Sequence, residues 1–235
     1  LEAHLFAARL IESDLLPSPP FLGLLVSGGH TCLCFVDDDF RFEVLGSTRD
    51  DAAGEVFDKI ARLMGLPFPG GKALSEIAQG NNARAVSLPR PMMGSKTLEF
   101  SFSGLKTAAA KAWKSGDVSK GDLAASLQEA IVDILLRKTS QAVQEVEVDT
   151  LVLAGGVSAN QHLRNRFIES KSLSKVRIVI PPPKLCTDNA AMVAALGSWR
   201  LERGERSPLD LNAHASWRAV SKALTETKEN SKCQR

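Results

Sequence analysis

Two glycine-containing segments each follow an apolar run that predicts a buried strand. The first is Ser27-Gly28-Gly29, after the run 21–26. The second is Gly155-Gly156, after the run 151–154 and before a predicted helix that begins near Asn160. Glycine lets the backbone approach a ligand closely, and the free N–H groups at a helix start attract phosphate. The pattern predicts two loops that bind phosphate or nucleotide. The alternative for the first is a tight hairpin whose glycines need a positive φ, and for the second a glycine turn at the entry to a helix.

An acidic segment runs into a predicted amphipathic helix. Asp51, Glu55 and Asp58 fall on one face of that helix, where like charges repel. A ligand, a metal or a cation should compensate this repulsion. The alternative is a solvated acidic face with Lys59 and Arg62 nearby.

Two further segments have open interpretations. Phe68–Gly71 is either a simple loop or a segment that closes over a nucleoside, with Gly71 against the base or ribose. Phe100–Thr107 is either an N-capped helix start or one wall of an active cleft, where Lys106 would answer phosphate charge.

His4 and Asp188 are candidate metal ligands. Taken alone, a histidine on a helix is more often a surface or core residue, and an aspartate at a helix start is favoured by the helix dipole. Two ligands are also one fewer than the three protein ligands usual in an open catalytic site.

The elements that position these residues follow from hydrophobic periodicity and from glycine and proline breaks. Predicted strands cover Phe21–Val26, Thr31–Val36, Phe40–Gly46, Leu151–Ala154 and Val176–Ile180. Predicted helices cover Leu1–Leu16, Asp51–Met64, Ala73–Gln79, Leu105–Trp113, Leu123–Val146, 158–170 and Thr187–Arg203 with Thr187 as N-cap, while Asn81–Thr97 is a loop. A β-meander followed by alternating helices and strands predicts an α/β fold with a mixed five-stranded sheet. This order is that of the ribonuclease-H-like lobe of actin-like (ASKHA) ATPases.

The composition predicts an intracellular protein. The 235 residues carry 29 basic and 27 acidic side chains, a net charge of +2, so any nucleic-acid contact must be local or come from a partner. Cys32 and Cys34 fit neither a zinc knuckle nor a disulfide framework and are expected to be reduced thiols. With no signal peptide and no long apolar run, we expect a cytoplasmic protein without a membrane anchor; an organellar matrix is the alternative compartment.

Seven ordered segments resemble one family over nearly the whole chain. They are LEAH at 1–4, LVSGGHT at 25–31, DDAAGEVFDKIARLMGL at 50–66, PGG at 69–71, FSFSGLKTA at 100–108, AGGVSAN at 154–160 and CTDNAAM at 186–192. Their order and spacing are similar to those of the TsaD/Gcp (Kae/Qri) family, of the bacterial or organellar type. The resemblance implies transfer of a threonylcarbamoyl group from threonylcarbamoyl-adenylate to N6 of adenosine 37 in tRNAs that read ANN codons.

The resemblance also implies particular residues, a metal and partners. The metal would be one divalent ion per subunit, Fe²⁺ first and Zn²⁺ second, held by His4, Asp188 and a histidine that would lie one position before Leu1. Implied substrate contacts are Leu25, Val26, Ser27, Gly28, Gly29, Asp58, Gly71 and Asn160. Implied partners are tRNA with a TsaB-like pseudo-enzyme and a TsaE-like ATPase in bacteria, or a second copy in mitochondria.

The chain starts within an apparent helix at Leu1, without a capping residue, which predicts that part of the protein lies upstream. We expect residues 1–20 to be a remnant of an N-terminal lobe that is largely missing, 21–205 the C-terminal actin-like lobe with a helical insertion at about 65–125, and 206–235 a tail. On this basis the isolated chain should bind metal and nucleotide weakly and transfer little.

Three other functions compete with the acyltransferase. An actin-like small-molecule kinase would share the fold and the glycine loops, but the histidine–aspartate metal set disfavours it. A metalloprotease needs H-E-x-x-H, and Glu2 stands at the wrong spacing from His4. A truncated lobe that is not catalytic and only binds partners is the remaining alternative.

Overall fold

The computed structural model describes residues 1–11 and 18–212, in two units, Leu1–Leu196 and the segment from Gly197 onward. The strands are β1 Phe21–Val26, β2 Thr31–Val36, β3 Phe42–Ser47, β4 Thr150–Ala154 and β5 Arg177–Val179. The α-helices are α1 Glu2–Phe6, α2 Ala53–Leu63, α3 Gly70–Ala78, α4 Ser103–Ser115, α5 Lys120–Val146, α6 Gln161–Ile168, α7 Pro183–Cys186 and α8 Ala190–Glu202. Short 3₁₀ segments lie at Ala7–Leu10, Gly156–Ala159 and Lys171–Leu173.

The strands form one mixed sheet in the order β3-β2-β1-β4-β5. β1 pairs antiparallel with β2 and parallel with β4, so it is the strand at which direction changes. β2 and β3 are antiparallel, and β4 and β5 are parallel. The predicted α/β class and five-stranded mixed sheet are confirmed. All six residues of β1 are buried, since helix α1 packs on it and α5 also contacts it.

Helix α2 buries the stripe that its periodicity predicts. Val56, Phe57 and Ile60 are each 2% exposed or less. They join a core that includes Phe100 and Phe102, whose rings stack with centroids 6.2 Å apart. Burial of such side chains contributes roughly 1.5–3 kcal/mol each before entropy is counted, so α2 is held firmly beside the sheet.

The long helix α5 anchors the loop before α4. The Lys138 side chain is fully buried, and its ammonium donates hydrogen bonds to the carbonyl oxygens of Ser95 and Thr97 and to the Ser95 hydroxyl. No helix or strand occurs between Gln79 and Glu99, as predicted for this segment. The buried cation therefore replaces regular structure in holding the loop on the core.

The first helix is shorter than predicted. The expected helix Leu1–Leu16 ends as an α-helix at Phe6, tightens into a 3₁₀ segment and stops where Ile11 becomes extended (ψ 172°). The rest of the predicted range, together with the proposed stop at Pro17, lies outside the described residues, as does the tail beyond residue 212.

The starts of β3 and α8 also differ from the prediction. Strand β3 starts at Phe42 because Phe40 adopts a left-handed backbone (φ 59°) and closes a turn on the Asp37 carbonyl. Helix α8 starts at Ala190, and its cap is Asn189, which accepts from the Met192 amide at 2.9 Å. The predicted cap, Thr187, instead ends α7.

The helix predicted over 158–170 is divided into two parts. A 3₁₀ segment, Gly156–Ala159, follows β4, and α6 begins after Asn160. Three helices begin earlier than predicted: α3 at Gly70 rather than Ala73, α4 at Ser103 rather than Leu105, and α5 at Lys120 rather than Leu123, with Ser119 as its cap. Helix α2 begins later, at Ala53 rather than Asp51. These shifts leave the order of elements unchanged.

Candidate functional site

The two glycine-containing loops meet at one edge of the sheet. β1 and β4 are parallel neighbours, with Leu25 opposite Ala154, so their carboxyl ends lie side by side. Gly155 has φ +88°, and a Cβ built on it would lie 2.4 Å from the carbonyl oxygen of Val26. Glycine is required at this position because a side chain would meet the backbone of the neighbouring strand.

The tip of the first loop is open. The Ser27 hydroxyl accepts from the His30 amide at 3.0 Å, and the Ser27 amide donates to the His30 carbonyl at 2.7 Å, which closes the hairpin. Gly28 and Gly29 are exposed, a Cβ added to either would have no neighbour within 4 Å, and neither has a positive φ. The interpretation of this segment as a turn that needs positive φ is therefore wrong for both residues.

The start of α2 is hydrogen-bonded to the first loop. The Gly54 amide donates to the Ser27 carbonyl at 3.2 Å, and the Ala53 amide donates to the Thr31 hydroxyl at 2.9 Å. Two first-turn amides of α2 are thus used inside the protein. The loop is fixed by a helix terminus as well as by the two strands it joins.

Asp58 and Gly71 are brought together although they are thirteen residues apart. The Gly71 amide donates to the Asp58 carboxylate at 3.2 Å, because α3 starts beside α2. The second carboxylate oxygen of Asp58 makes no hydrogen bond within the described part of the protein. Asp58 therefore has one carboxylate oxygen available for a ligand beside the start of α3. The resemblance implies a ribose contact at this residue.

The second loop ends in Asn160, whose side chain has two structural partners. Its carbonyl oxygen accepts from the Leu163 amide at 3.0 Å and so caps α6, and its amide donates to the Gln128 side chain at 2.7 Å. An asparagine side chain has two donors and two acceptor positions. One of each remains for a ligand, and the two existing bonds fix its orientation.

The acidic segment is neutralised from within the protein. Asp51 accepts from Lys59 at 2.8 Å and from Lys106 at 2.5 Å, and Glu55 pairs with Lys59 at 2.6 Å. Burial opposes ionisation of Asp51, but the bonds from Lys106 and Lys59 outweigh it and lower its pKa. Cations therefore compensate Asp51 and Glu55, one of the possibilities that the sequence leaves open, and Lys106 pairs with a carboxylate.

The segment Phe100–Thr107 is a capped helix start, but the cap comes from far away in sequence. The Asp50 carboxylate accepts from the amides of Phe102 at 2.7 Å and Ser103 at 3.2 Å. It also accepts from the hydroxyls of Ser101 and Ser103. No local sequence signal connects Asp50 to α4, because the two are separated by about fifty residues.

The structure places the two predicted metal ligands in contact. His4 Nε2 lies 3.0 Å from Asp188 Oδ1, with the imidazole buried and the carboxylate 96% exposed. The neighbour of Asp188, Thr187, lies 3.6 Å from a Cβ built on Gly156, so the pair adjoins the second glycine loop. Burial lowers the pKa of His4, and the carboxylate opposes this effect. Within residues 1–11 and 18–212, no third histidine, cysteine, aspartate or glutamate completes a cluster around them.

Sequence reasoning missed the residues that hold the site together. Thr31 fixes the start of α2, Gln128 orients Asn160, and Asp50 positions α4. Each acts across a long stretch of sequence, so neither spacing nor periodicity could reveal it. Cys32 and Cys34, expected to be reduced, are buried free thiols with sulfurs 3.5 Å apart on one strand face.

The fold defines an actin-like α/β lobe. A solved structure of full-length HypF in the phosphate- and nucleotide-bound form shares this fold, with a TM-score of 0.67 and 13% sequence identity, over 86% of this chain and 42% of that one. At this identity the likeness concerns the fold alone. In the described part of the chain no helix combines the length and the apolar character needed to span a bilayer.

The chain belongs to the TsaD family, tRNA N6-adenosine threonylcarbamoyltransferase, whose sequence model matches residues 1–195. A relative of that name from Anaeromyxobacter sp. (strain Fw109-5) is 47% identical over 223 residues, which are 93% of this chain and 66% of the relative. Another, from Acidovorax sp. (strain JS42), is 50% identical over 88% of this chain and 60% of its own length. The chain thus spans less than two thirds of the length of these curated relatives.

Proposed function

We propose that this chain contributes the C-terminal part of a site that transfers a threonylcarbamoyl group from threonylcarbamoyl-adenylate to N6 of adenosine 37 in tRNAs that read ANN codons. The observation that carries the proposal is the bare tip of the first loop. Neither packing nor φ requires glycine at Gly28 or Gly29. Close approach of a ligand to the backbone is a reason for glycine there, and family membership supplies the acyl-adenylate as that ligand.

The residues around the tip contact different parts of the substrate. The backbone of Leu25–Gly29 faces the acyl-phosphate part, where the Gly28 amide, which donates to no atom of the described residues, suits anionic oxygen. Asp58, oriented by Gly71, accepts from a ribose hydroxyl with its free carboxylate oxygen. Asn160, oriented by Gln128, offers its remaining donor and acceptor to the nucleotide. All of these groups are held in place before the substrate binds.

The donor set at His4 and Asp188 fits a divalent metal. The two ligand atoms lie 3.0 Å apart, a separation at which both can contact one ion at ordinary metal–ligand distances of about 2.1 Å. Imidazole with carboxylate suits Fe²⁺, our first choice, and also Zn²⁺. A bound metal would polarise the carbamoyl carbonyl. Two ligands from the described residues leave room for a third from outside them, so the chain alone should bind the ion weakly.

The chemistry asked of this chain is mainly positioning. The adenosine N6 amine attacks the carbamoyl carbon, the bond from that carbon to the phosphate oxygen breaks, AMP leaves, and the amine loses a proton. An exocyclic amine is a poor nucleophile, so alignment and stabilisation of the developing negative charge supply most of the rate. The loop backbone, fixed by β1 and by the start of α2, supplies the alignment. No side chain of the described residues is assigned as general base.

We also propose the biological setting that the family suggests. The partners are tRNA, a TsaB-like pseudo-enzyme subunit and a TsaE-like ATPase if the source is bacterial, and a second copy if it is mitochondrial. The compartment is the cytoplasm or an organellar matrix. The bacterial origin of both relatives supports the first alternative in each case.

A substitution at the loop tip tests the proposal. The chain is extended by the part of the Acidovorax relative that precedes the matched region. It is supplied with synthetic threonylcarbamoyl-adenylate and an unmodified tRNA transcript, and modified nucleoside is measured by mass spectrometry. Gly28→Val should lower transfer at least roughly a hundredfold, because its side chain occupies the space of the ligand. The melting temperature should be unchanged, because a Cβ built on Gly28 has no neighbour within 4 Å.

Gly94→Val is the matched control for this substitution. Gly94 is equally unobstructed and exposed but lies in the loop before α4. Full transfer by the Gly28→Val protein would sink the proposal. The 235-residue chain without the extension serves as the reference that should transfer little.

A further inference from the structure

A groove between α2 and α4 carries a local concentration of positive charge outside the proposed substrate site. Lys59, Lys106, Lys111 and Lys114 line it, and Ile60 and Leu63 form part of its floor. Its volume is about 500 Å³, and no acidic side chain of the described residues lines it. Because the whole chain carries a net charge of only +2, this lysine groove is a local feature of the surface.

One end of the lysine groove is joined to the substrate site. Lys59 and Lys106 both donate to Asp51, which lies two residues before α2. The first amides of α2 in turn donate to the Ser27 carbonyl and the Thr31 hydroxyl. A polymer that follows the groove toward Lys106 therefore arrives beside the glycine loop.

The other end of the lysine groove has unpaired charge. Lys111 and Lys114 are exposed, and neither forms an ion pair with an acidic side chain in residues 1–11 or 18–212. Lys106 and Lys114 are eight residues apart on one helix face, about 12 Å along the axis. Mobile cations spaced along a shallow channel suit a polyanion with repeated charges better than a single small anion.

We infer that the lysine groove binds the phosphate backbone of the tRNA substrate and guides the strand to the glycine loop. This inference rests on the proposed function, which supplies the tRNA. Lys111 and Lys114 contact phosphates without reading sequence, and Asp51 keeps Lys59 and Lys106 in place at the site end. The charge pattern fits RNA, since a strand of phosphates supplies negative charge at every nucleotide along the channel.

The inference is tested by the salt dependence of RNA binding. The 235-residue chain is titrated into a fluorescent, unmodified tRNA transcript that reads an ANN codon, at several salt concentrations. The Lys111→Gln/Lys114→Gln protein should lose about two units of the slope of log K against log salt, roughly one per lysine. At about 0.1 M salt its affinity should fall roughly tenfold to a hundredfold.

Two matched variants show whether position and charge matter. Lys171→Gln/Lys175→Gln removes two exposed lysines near the amino ends of β4 and β5, at the opposite sheet edge, and should leave the slope unchanged. Lys111→Arg/Lys114→Arg keeps the charge and should retain the affinity. Equal losses in both glutamine variants, an unchanged slope in Lys111→Gln/Lys114→Gln, or no salt-dependent binding by the unsubstituted chain would each overturn the inference.

Further measurements separate this inference from the proposed function. With the same N-terminal extension as in the transfer assay, the unsubstituted and glutamine proteins should bind a non-hydrolysable analogue of threonylcarbamoyl-adenylate alike. If neither extended protein binds the analogue, the result contradicts the proposed acyl transfer and leaves RNA binding by the lysine groove unaffected. A polyglutamate peptide should compete with the transcript only weakly. Competition as strong as that of unlabelled tRNA would assign the lysine groove to an acidic protein and overturn its assignment to RNA.

Discussion

Gly155 lies directly against the carbonyl oxygen of Val26, the last residue of the neighbouring strand. A Cβ at Gly155 would come within 2.4 Å of that oxygen, and the backbone there has φ +88°. The contact joins the loop after β4 to the end of β1. Sterics and backbone conformation thus independently demand glycine at this position.

Gly155→Ala should therefore destabilise the lobe by about 1–3 kcal/mol and disturb the first glycine loop. The measurement is urea unfolding at pH 7, with binding of a threonylcarbamoyl-adenylate analogue as a second readout. Gly29→Ala is the stability control, since its Cβ would have no neighbour within 4 Å and its φ is not positive. Equal stability of the two variants would contradict the close approach of Gly155 to Val26.

Asp50→Ala should cost about 1 kcal/mol at neutral pH, the usual effect of losing a helix cap. Burial opposes ionisation of Asp50, but bonds from Phe102, Ser101 and Ser103 outweigh it and hold its pKa below the ordinary 3.8. With the folded pKa below the unfolded one, the carboxylate's stabilisation is complete above about pH 5 and is lost as pH falls through the folded value.

The difference between wild type and Asp50→Ala should consequently shrink between about pH 5 and pH 2, as followed by urea unfolding across that range. Asp39→Ala is the control, because Asp39 pairs with Arg41 where both side chains are largely exposed. Such a pair contributes little. If the difference in unfolding free energy between wild type and Asp50→Ala were the same at all pH values, the Asp50 carboxylate would not act as a cap.

Lys138→Met should release the loop before α4. The substitution leaves the carbonyl oxygens of Ser95 and Thr97 without their buried donor, at about 1–3 kcal/mol for each unsatisfied group. Hydrogen–deuterium exchange should rise across residues 92–98 before the core opens. Lys120→Met, at the exposed start of α5, serves for comparison. Unchanged exchange in the loop would show that the ammonium is not its anchor.

His4→Ala and Asp188→Asn should each reduce bound Fe²⁺ or Zn²⁺, because the two side chains supply adjacent donor atoms 3.0 Å apart. Loss of one of two ligands should weaken the affinity of the chain at least about tenfold, as measured by calorimetric titration of each metal. His162→Gln is the control, because His162 pairs with Glu129 and not with Asp188. The His162→Gln protein should bind metal as the unsubstituted chain does. Equal metal content in these three variants and the unsubstituted chain would remove His4 and Asp188 as ligands.

Local sequence signals predicted the elements well where burial decides them. The bounds of β1 and β2 are as predicted, since continuous apolar runs ended by turn residues leave little choice. The start of β3 was wrong because Phe40 takes a left-handed conformation that phenylalanine rarely adopts. Thr187 was as good a cap by residue type as Asn189, and only the intervening turn decides between them.

The site was predictable as a list of residues more than as a geometry. Asp58 and Gly71 came from a resemblance, and the hydrogen bond that joins them follows from the packing of α3 on α2. The bond from Lys106 to Asp51 was not predictable, because the two residues are fifty-five positions apart. Long-range polar pairs of this kind leave no periodic trace in a single sequence.

Both glycine loops are attached to one pair of hydrogen-bonded strands, β1 and β4. A ligand that contacts both loops binds only protein molecules in which these strands are paired, so ligand binding and strand pairing are thermodynamically linked. Saturating ligand should protect the amides of the central strands from hydrogen exchange. A large-to-small substitution in the core beneath these strands should weaken ligand affinity although the substituted residue does not contact the ligand. The middle of the sheet thus works as an affinity determinant in its own right.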